Sequence, residues 1–330
     1  MKPFKTLEEQ IEILKSRNLK FEDEEKAKFY LLHNNYYNII NCYSKFFINP
    51  ETNCYYENIY FEKILEIYHF DKEIKQIVLK HILDVERHFK SILAYNYAKF
   101  FKNEQYPYFD IKNYNTNNYD IKNIIKIINT ISTLAKEIKA KNTTNNKENN
   151  SIKHHIHIHN TVPIWVLIDY LSFGEMNHFY RLNAEKVKNM VVKDLVYFLE
   201  ENTMEKLKHE IPYKTVDLVL ENILDLRNIT AHNNVLFNFK FRNDLPYLDI
   251  LHDKLGIKRE DNRQSFYHTI LYFQMFLSKN EYDQLKSGIK KRIRKLKRKI
   301  GDEFFYKIVA SLKIDEKILE IILKEIPIKQ

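Results

Sequence analysis

The chain has 330 residues, 44% of them hydrophobic, with only 4 glycines and 7 prolines. This length suffices for a hydrophobic core, and the scarcity of turn-forming residues favours long helices over a many-turned β architecture. No apolar stretch approaches the roughly 20 residues needed to span a bilayer, and no signal-peptide core is visible. The two cysteines, Cys42 and Cys54, form neither a C-x-x-C pair nor a disulfide framework. We therefore expect an all-α, cytoplasmic protein.

Helical patterns dominate the first half of the chain. Thr6 and Glu9 form the sequence signature of a capping box, which predicts a helix over residues 7–17. A second helix is expected to begin at Phe21 and to run into the aromatic stretch 36–47. The longest pattern of apolar residues, at steps of three and four, covers residues 60–101. Further helices are predicted at residues 121–138, 164–171, 175–182, 185–201, 203–209 and 213–230.

Two segments are harder to assign. Residues 141–160 are polar and low in complexity, which indicates a mobile insertion. This segment contains four histidines: His154, His155, His157 and His159. Alternate histidines of an extended segment would share one face, as a metal site requires. His-rich tracts of this kind are often incidental, however, and we expect no metal.

Residues 235–241 alternate apolar with polar and predict either a short strand or an extended tail.

The excess positive charge is concentrated on one short segment. Of 53 lysines and arginines, nine lie between Lys286 and Lys299 without an acid among them, and the rest of the chain is balanced. An apolar stripe at steps of four and three predicts an amphipathic helix there. Binding of RNA phosphates is the favoured interpretation, with an anionic membrane surface or a solubilising face as alternatives. The expected RNA-binding residues are Lys290, Lys291, Arg292, Arg294, Lys295, Lys297 and Arg298.

Arg227 and His232 carry the chemistry that RNA cleavage without a metal requires. An imidazole can move the 2′-OH or leaving-group proton near neutral pH, and a guanidinium can neutralise charge on the phosphorane. On a regular helix, however, a five-residue step turns by about 140°, so the two side chains would diverge. They converge only if the helix ends between them or if a second copy supplies half of the site. Otherwise, both residues simply belong to a helix end.

Two Glu-x-x-His pairs suggest a different class of function, that of a di-iron protein. Glu66 with His69, and Glu175 with His178, are two Glu-x-x-His pairs of the kind that di-iron helical bundles use. Such a site needs two more glutamates from other helices. Ordinary exposed side chains explain both pairs, and we expect neither a metal nor another cofactor.

Three separate stretches resemble one family of bacterial phage-defence proteins. The first is Lys2-Pro3-Phe4 together with the helical region that leads to Tyr36-Tyr37. The second runs from Pro163-Ile164-Trp165 to Gly174-Glu175, and the third runs from Arg227 to Asn233. The last resembles the R-x4-6-H motif of HEPN proteins, with the polar Asn228 directly after the arginine. The three stretches occur in the order found in the Abi abortive-infection family (the AbiD/AbiF group).

The resemblance implies a HEPN-type helical bundle with additional N- and C-terminal helices. It implies a homodimeric, metal-independent endoribonuclease that cuts single-stranded RNA, acts as a toxin and in some relatives associates with a structured small RNA. Arg227, Asn228 and His232 would be catalytic, and Glu86 is a candidate supporting residue. The alternative is a non-cleaving RNA-binding regulator or sensor on the same fold. We expect an Abi-like domain over residues 1–245 and a basic helical extension over 246–330.

Overall fold

The computed structural model describes residues 3–116, 121–140, 151–159, 162–232 and 234–312, with residues 314 and 319. Within these ranges no residue belongs to a β-sheet, and backbone pairing outside helices is limited to isolated bridges such as Lys20 with Tyr60. The all-α expectation is therefore confirmed. The α-helices are α1 (Leu7–Ser16), α2 (Glu24–Asn34), α3 (Phe61–Phe100), α4 (Ile121–Ala140), α5 (Ser151–His159), α6 (Ile164–Leu167), α7 (Phe173–Leu182), α8 (Glu185–Thr203), α9 (Tyr213–Ala231), α10 (Asp249–His252), α11 (Phe266–Leu271), α12 (Lys279–Ile300) and α13 (Asp302–Ala310).

The 40-residue helix α3 is the axis of the fold. Its buried positions recur along its whole length, because helices α6, α8, α9 and α12 pack around it. The residues of α12 that were predicted to form an apolar stripe are buried in the same hydrophobic core. Gly288 permits this approach, since a Cβ atom at that position would lie 3.2 Å from Ile77 Cγ2 on α3.

Helix starts agree closely with the capping signals. Thr6 and Glu9 form the predicted capping box of α1, and Ser172 with Glu175 forms another at the start of α7. The predicted helix continuing through residues 36–47 is wrong as a single element, because Asn35 has φ of 66° and ends α2. Short π- and 3₁₀-turns follow it instead.

Three further segments differ from their predicted structure. The helix predicted at residues 203–209 is wrong, because Met204 is left-handed with φ of 57° and ends α8. Residues 235–241 are irregular and form no strand. Of the expected insertion 141–160, residues 141–150 and 160 lie outside the described residues, and the rest forms α5, which buries Ile152 in the core.

None of the helices, as far as their residues are described, combines the length and the apolar character needed to cross a bilayer.

Candidate functional site

Arg227, Asn228 and His232 lie on the last turn and a half of α9. The helix runs through Ala231, and the His232 N–H still donates to the Asn228 carbonyl at 3.0 Å. Arg227 Nη1 donates to the Asn228 side-chain oxygen at 3.3 Å. Arg227 is half-buried, while Asn228 and His232 are exposed. The three side chains therefore reach solvent from one helix end.

The helix does not end between Arg227 and His232. Since the backbone keeps its helical hydrogen bonds up to His232, the five-residue step separates the two side chains by about 140° around the axis. Among the described residues, no contact joins the guanidinium to the imidazole. One copy of the chain therefore presents an arginine and a histidine on different sides of the helix end.

A buried ion pair fixes the chain that follows this helix end. Lys75 Nζ lies 2.7 Å from Asp71 Oδ2 and donates to the Asn234 carbonyl at 3.2 Å. Asp71 Oδ1 accepts from the Leu236 N–H at 3.1 Å, and its other oxygen accepts from the Tyr43 hydroxyl at 2.9 Å. Contacts with α3 thus hold Asn234 and Leu236, which follow His232 closely in the chain.

The electrostatics of this pair follow from its burial. Asp71 is 1% exposed and Lys75 is 4% exposed. Burial raises the pKa of Asp71, while the charge of Lys75 and the hydrogen bonds from Leu236 and Tyr43 oppose the rise. This cluster was not predicted from the sequence, although a signal for it exists there: Asp71 and Lys75 are charged residues, four apart, within the apolar pattern of α3.

Arg227 and His232 are available for chemistry. Within the described ranges, no carboxylate lies within 4 Å of the Arg227 guanidinium or of the His232 ring. Among the described side chains, Arg227 donates to that of the neighbouring Asn228 alone. An arginine without a carboxylate partner retains its donors for an anion such as a phosphate. The helix end can therefore offer a cation and a proton-transfer group to a ligand.

Glu86 is not part of this arrangement. Its carboxylate lies 2.7 Å from Lys90 Nζ on the next turn of α3, and Lys90 donates to the Asp169 carbonyl at 3.3 Å. Among the described residues, neither Arg227 nor His232 contacts Glu86. Lys90, its partner, connects α3 to the turn that follows α6.

The basic helix α12 is only partly free to bind an anion. Glu73 of α3 forms ion pairs with both Arg292 and Lys295, and Glu66 lies 3.5 Å from Lys299. These acids come from a neighbouring helix, so the sequence of α12 gave no sign of them. Lys297 pairs with Asp302, and Lys290 and Arg294 also have interaction partners.

Lys291 and Arg298 are the exposed cations among the predicted RNA-binding residues. In the described part of the chain, neither has a carboxylate within ion-pair distance. They lie on the solvent side of a helix whose opposite face is buried against α3.

The two Glu-x-x-His pairs have structural roles. Glu66 pairs with Lys299, and His69 Nε2 lies 3.3 Å from the Tyr30 hydroxyl. Glu175 caps α7, and His178 is hydrogen-bonded to the Asn123 carbonyl at 3.3 Å. The described residues contain no group of three or more potential metal ligands.

The histidine tract is helical, so alternate residues do not share a face there, contrary to what the metal hypothesis assumed. The side chains of His154 and His157 lie outside the described residues.

The fold and the site define an all-α protein with an Arg–His motif that reaches solvent at the end of a helix packed on a long central helix. Residues 29–238 match the family model described as Abi-like protein. Because this match covers more than half of the chain, the chain belongs to the family of Abi-like proteins. No curated protein and no solved structure matches the chain.

Proposed function

We propose that this Abi-like protein is a metal-independent endoribonuclease that cuts single-stranded RNA during abortive infection, as a toxin in the cytoplasm. The observation that carries the proposal is the placement of Arg227, Asn228 and His232. Their side chains reach solvent without an ion-pair partner among the described residues, while buried contacts of Asp71 and Lys75 hold the backbone beyond them. A rigid backbone with available polar side chains is what a catalytic site needs.

The proposed reaction is a transesterification within the RNA. The 2′-oxygen attacks phosphorus, a base takes its proton, and the bond from phosphorus to the 5′-oxygen breaks as an acid protonates the leaving oxygen. The products are a 2′,3′-cyclic phosphate and a 5′-hydroxyl. His232 transfers protons, Arg227 stabilises the charge on the phosphorane, and Asn228 orients the guanidinium.

The active unit in this proposal is a homodimer. Because Arg227 and His232 diverge by about 140° around α9, one copy does not direct both groups at one phosphate. Two helix ends that meet at a twofold axis would place the arginine of one copy beside the histidine of the other. This arrangement agrees with the dimer that the resemblance to HEPN proteins implies.

The exposed cations of α12 would hold RNA away from the scissile bond. Lys291 and Arg298 are the residues of that helix best placed for phosphates, because they have no acidic partner among the described residues. Arg292 and Lys295 contribute less in this proposal, since Glu73 already neutralises part of their charge.

A non-cleaving RNA-binding regulator is the second candidate, and the exposed cations Lys291 and Arg298 of α12 support it equally well. Incubation of labelled single-stranded RNA with purified protein in excess EDTA separates the two functions. The nuclease predicts cutting by the wild type that leaves cyclic-phosphate ends. It also predicts loss of cutting, with RNA binding retained, in Arg227→Ala and His232→Ala.

The exposed residue His209 supplies a matched control. His209→Ala should cut as the wild type does. Cutting that persists in His232→Ala would remove that residue from the mechanism, and binding without any cutting would favour the regulator.

A further inference from the structure

An open groove lies between the second half of α3 and helix α6. It has a volume of about 720 Å³. Two large aromatic side chains border it: Trp165 on α6, 58% exposed, and Tyr95 on α3, 63% exposed. The lining also includes the buried residues Ala94 of α3 and Ile168, which directly follows α6.

The groove continues toward the end of α3. A second cavity of about 480 Å³ shares Ala98 and Trp165 with the first. Its far wall includes the half-buried aromatic ring of Tyr106. The Tyr108 hydroxyl donates to the Val162 carbonyl and so fixes the chain that leads into α6. The exposed indole therefore belongs to a surface with an anchored backbone.

Exposed aromatic rings at a groove suggest a ligand. Large aromatic side chains contribute most to stability when they are buried, and clusters left open on a surface commonly mark binding sites. Trp165 is the only tryptophan in the chain. Flat, exposed rings beside a groove are what proteins use to stack the bases of single-stranded nucleic acid.

Cations line the same groove. Lys99 Nζ lies 5.8 Å from the centre of the Tyr95 ring, and the exposed Lys102 borders the second cavity. Arg87 is exposed and uses only Nη2 in its contacts with Asp84, His88 and Glu281, which leaves Nε and Nη1 without a partner among the described residues.

Acids oppose these cations in part. Asp169 is exposed in the first cavity. Glu104 borders the second cavity, where it accepts a hydrogen bond from Asn113.

The residues that line the two cavities include three bases and two acids, and one of the bases, Arg87, also pairs with Asp84 and Glu281. The net charge of the groove is therefore small, and it is the aromatic faces together with Lys99 and Lys102 that favour a nucleic-acid strand over a cationic or a purely apolar ligand.

We propose that this groove binds single-stranded RNA, with bases stacked on Trp165 and Tyr95 and phosphates beside Lys99 and Arg87. The proposal rests on the proposed function for its ligand, but it concerns a separate surface. Tyr95 is 20 residues beyond Lys75 on α3, which places the groove about 30 Å along the helix from the anchored end of α9. The groove would thus hold a part of the RNA distant from the cut.

The single tryptophan provides a direct readout. We would titrate a His232→Ala protein, which does not cut in the proposed mechanism, with a 12-nucleotide oligouridine and record its tryptophan fluorescence. Stacking on Trp165 predicts quenching that saturates together with the anisotropy of the labelled oligonucleotide. Added salt should reverse both signals, because phosphate contacts are screened.

Variants then test the residues. Trp165→Ala and Tyr95→Ala should each weaken binding about tenfold, as expected for loss of a stacked base. Tyr197→Ala is the matched control, because Tyr197 is 71% exposed on α8 and lies outside the groove. Asp169→Asn should strengthen binding, since it removes an opposing charge.

Several results would reject RNA binding in the groove. One is RNA binding that leaves the fluorescence of Trp165 unquenched, and another is an equal weakening of RNA binding by Trp165→Ala and Tyr197→Ala. Either result would show that RNA binds to another surface, and a protein partner would then be the candidate ligand of the groove. An absence of RNA binding would also reject it. The cleavage assay is independent: quenching in a protein whose wild type never cuts RNA would support the groove and reject the nuclease.

Discussion

The carboxylate of Asp71 and the ammonium of Lys75 lie 2.7 Å apart inside the protein, and each also contacts the chain just beyond His232. The pair therefore joins two features that are far apart in sequence: the central helix and the exposed end of α9. Because both groups are buried, their hydrogen bonds to Leu236 and Asn234 are protected from water and rigid. We consider Asp71 and Lys75 positioning residues for the Arg–His motif.

The first prediction concerns this pair. Asp71→Leu or Lys75→Met alone should lower the free energy of unfolding by about 3–5 kcal/mol, because each leaves an unpaired buried charge. The double variant should lose less than the sum of the two single losses. Denaturant unfolding of all four proteins measures the coupling. Strictly additive losses would show that the two charges do not stabilise each other.

A milder variant tests whether the pair positions His232. Tyr43→Phe removes one hydrogen bond to Asp71 and keeps the charged pair, so it should fold with a loss of only about 1 kcal/mol. If the pair positions His232, cleavage by Tyr43→Phe should fall through kcat with little change in RNA affinity. Unchanged kcat would restrict this hydrogen bond to a structural role.

The second prediction concerns the dimeric site. If Arg227 of one copy acts with His232 of the other, mixing the inactive Arg227→Ala and His232→Ala proteins creates heterodimers with one intact site. Random exchange should restore about a quarter of wild-type cleavage, because half of the dimers are mixed and each retains one of two sites. Cleavage is measured after the mixture has been allowed to exchange subunits.

A site contained within one chain gives the opposite result. In that case, every site in the mixture lacks one of the two residues, and cleavage stays absent. Sedimentation of the unmixed proteins serves as the control that both variants still form dimers.

The third prediction concerns the basic helix. Lys291→Gln with Arg298→Gln should reduce the slope of log affinity against log salt by about 1.4, since each phosphate contact to a single strand contributes about 0.7. Stability should stay within about 0.5 kcal/mol of wild type, because both side chains are exposed. Fluorescence anisotropy at several salt concentrations provides the slope.

The matched control removes the same charge from the same helix. Arg292→Gln with Lys295→Gln leaves Glu73 without its two partners, so stability should fall while the salt slope changes little. Equal effects of the two double variants on the slope would show that the ion pairs with Glu73 open when RNA binds.

The fourth prediction concerns acid stability. Burial lowers the pKa of His252 and of His268 to about 4, from 6.5. Between pH 6.5 and pH 4 the unfolded chain therefore binds more protons than the folded protein, and stability falls as the pH falls through this window. Each histidine accounts for a loss of about 3 kcal/mol by pH 4. Arg263 and Asp253 are the charged neighbours of His252.

Unfolding at pH 7 and pH 5 checks the acid loss. His268→Gln should reduce the difference in stability between the two pH values, whereas His209→Gln, at an exposed position, should leave it unchanged. An unaltered difference in His268→Gln would assign the acid sensitivity to other groups.

The sequence by itself determined the helical class, most helix boundaries and the position of the Arg–His motif. These features depend on local rules: the spacing of apolar residues in α3, the capping box at Thr6 and the short step from Arg227 to His232. The failures were local as well, because the left-handed residues Asn35 and Met204 ended helices that the apolar pattern would have continued.

The tertiary structure alone decided which charged residues are available. Glu73 neutralises cations more than two hundred positions away, and Asp71 contacts Leu236, 165 positions along the chain. The groove at Trp165 likewise depends on how α6 lies against α3. Apolar periodicity reports which face of a helix is buried, but the partner of that face depends on the packing of distant segments, which no local pattern specifies.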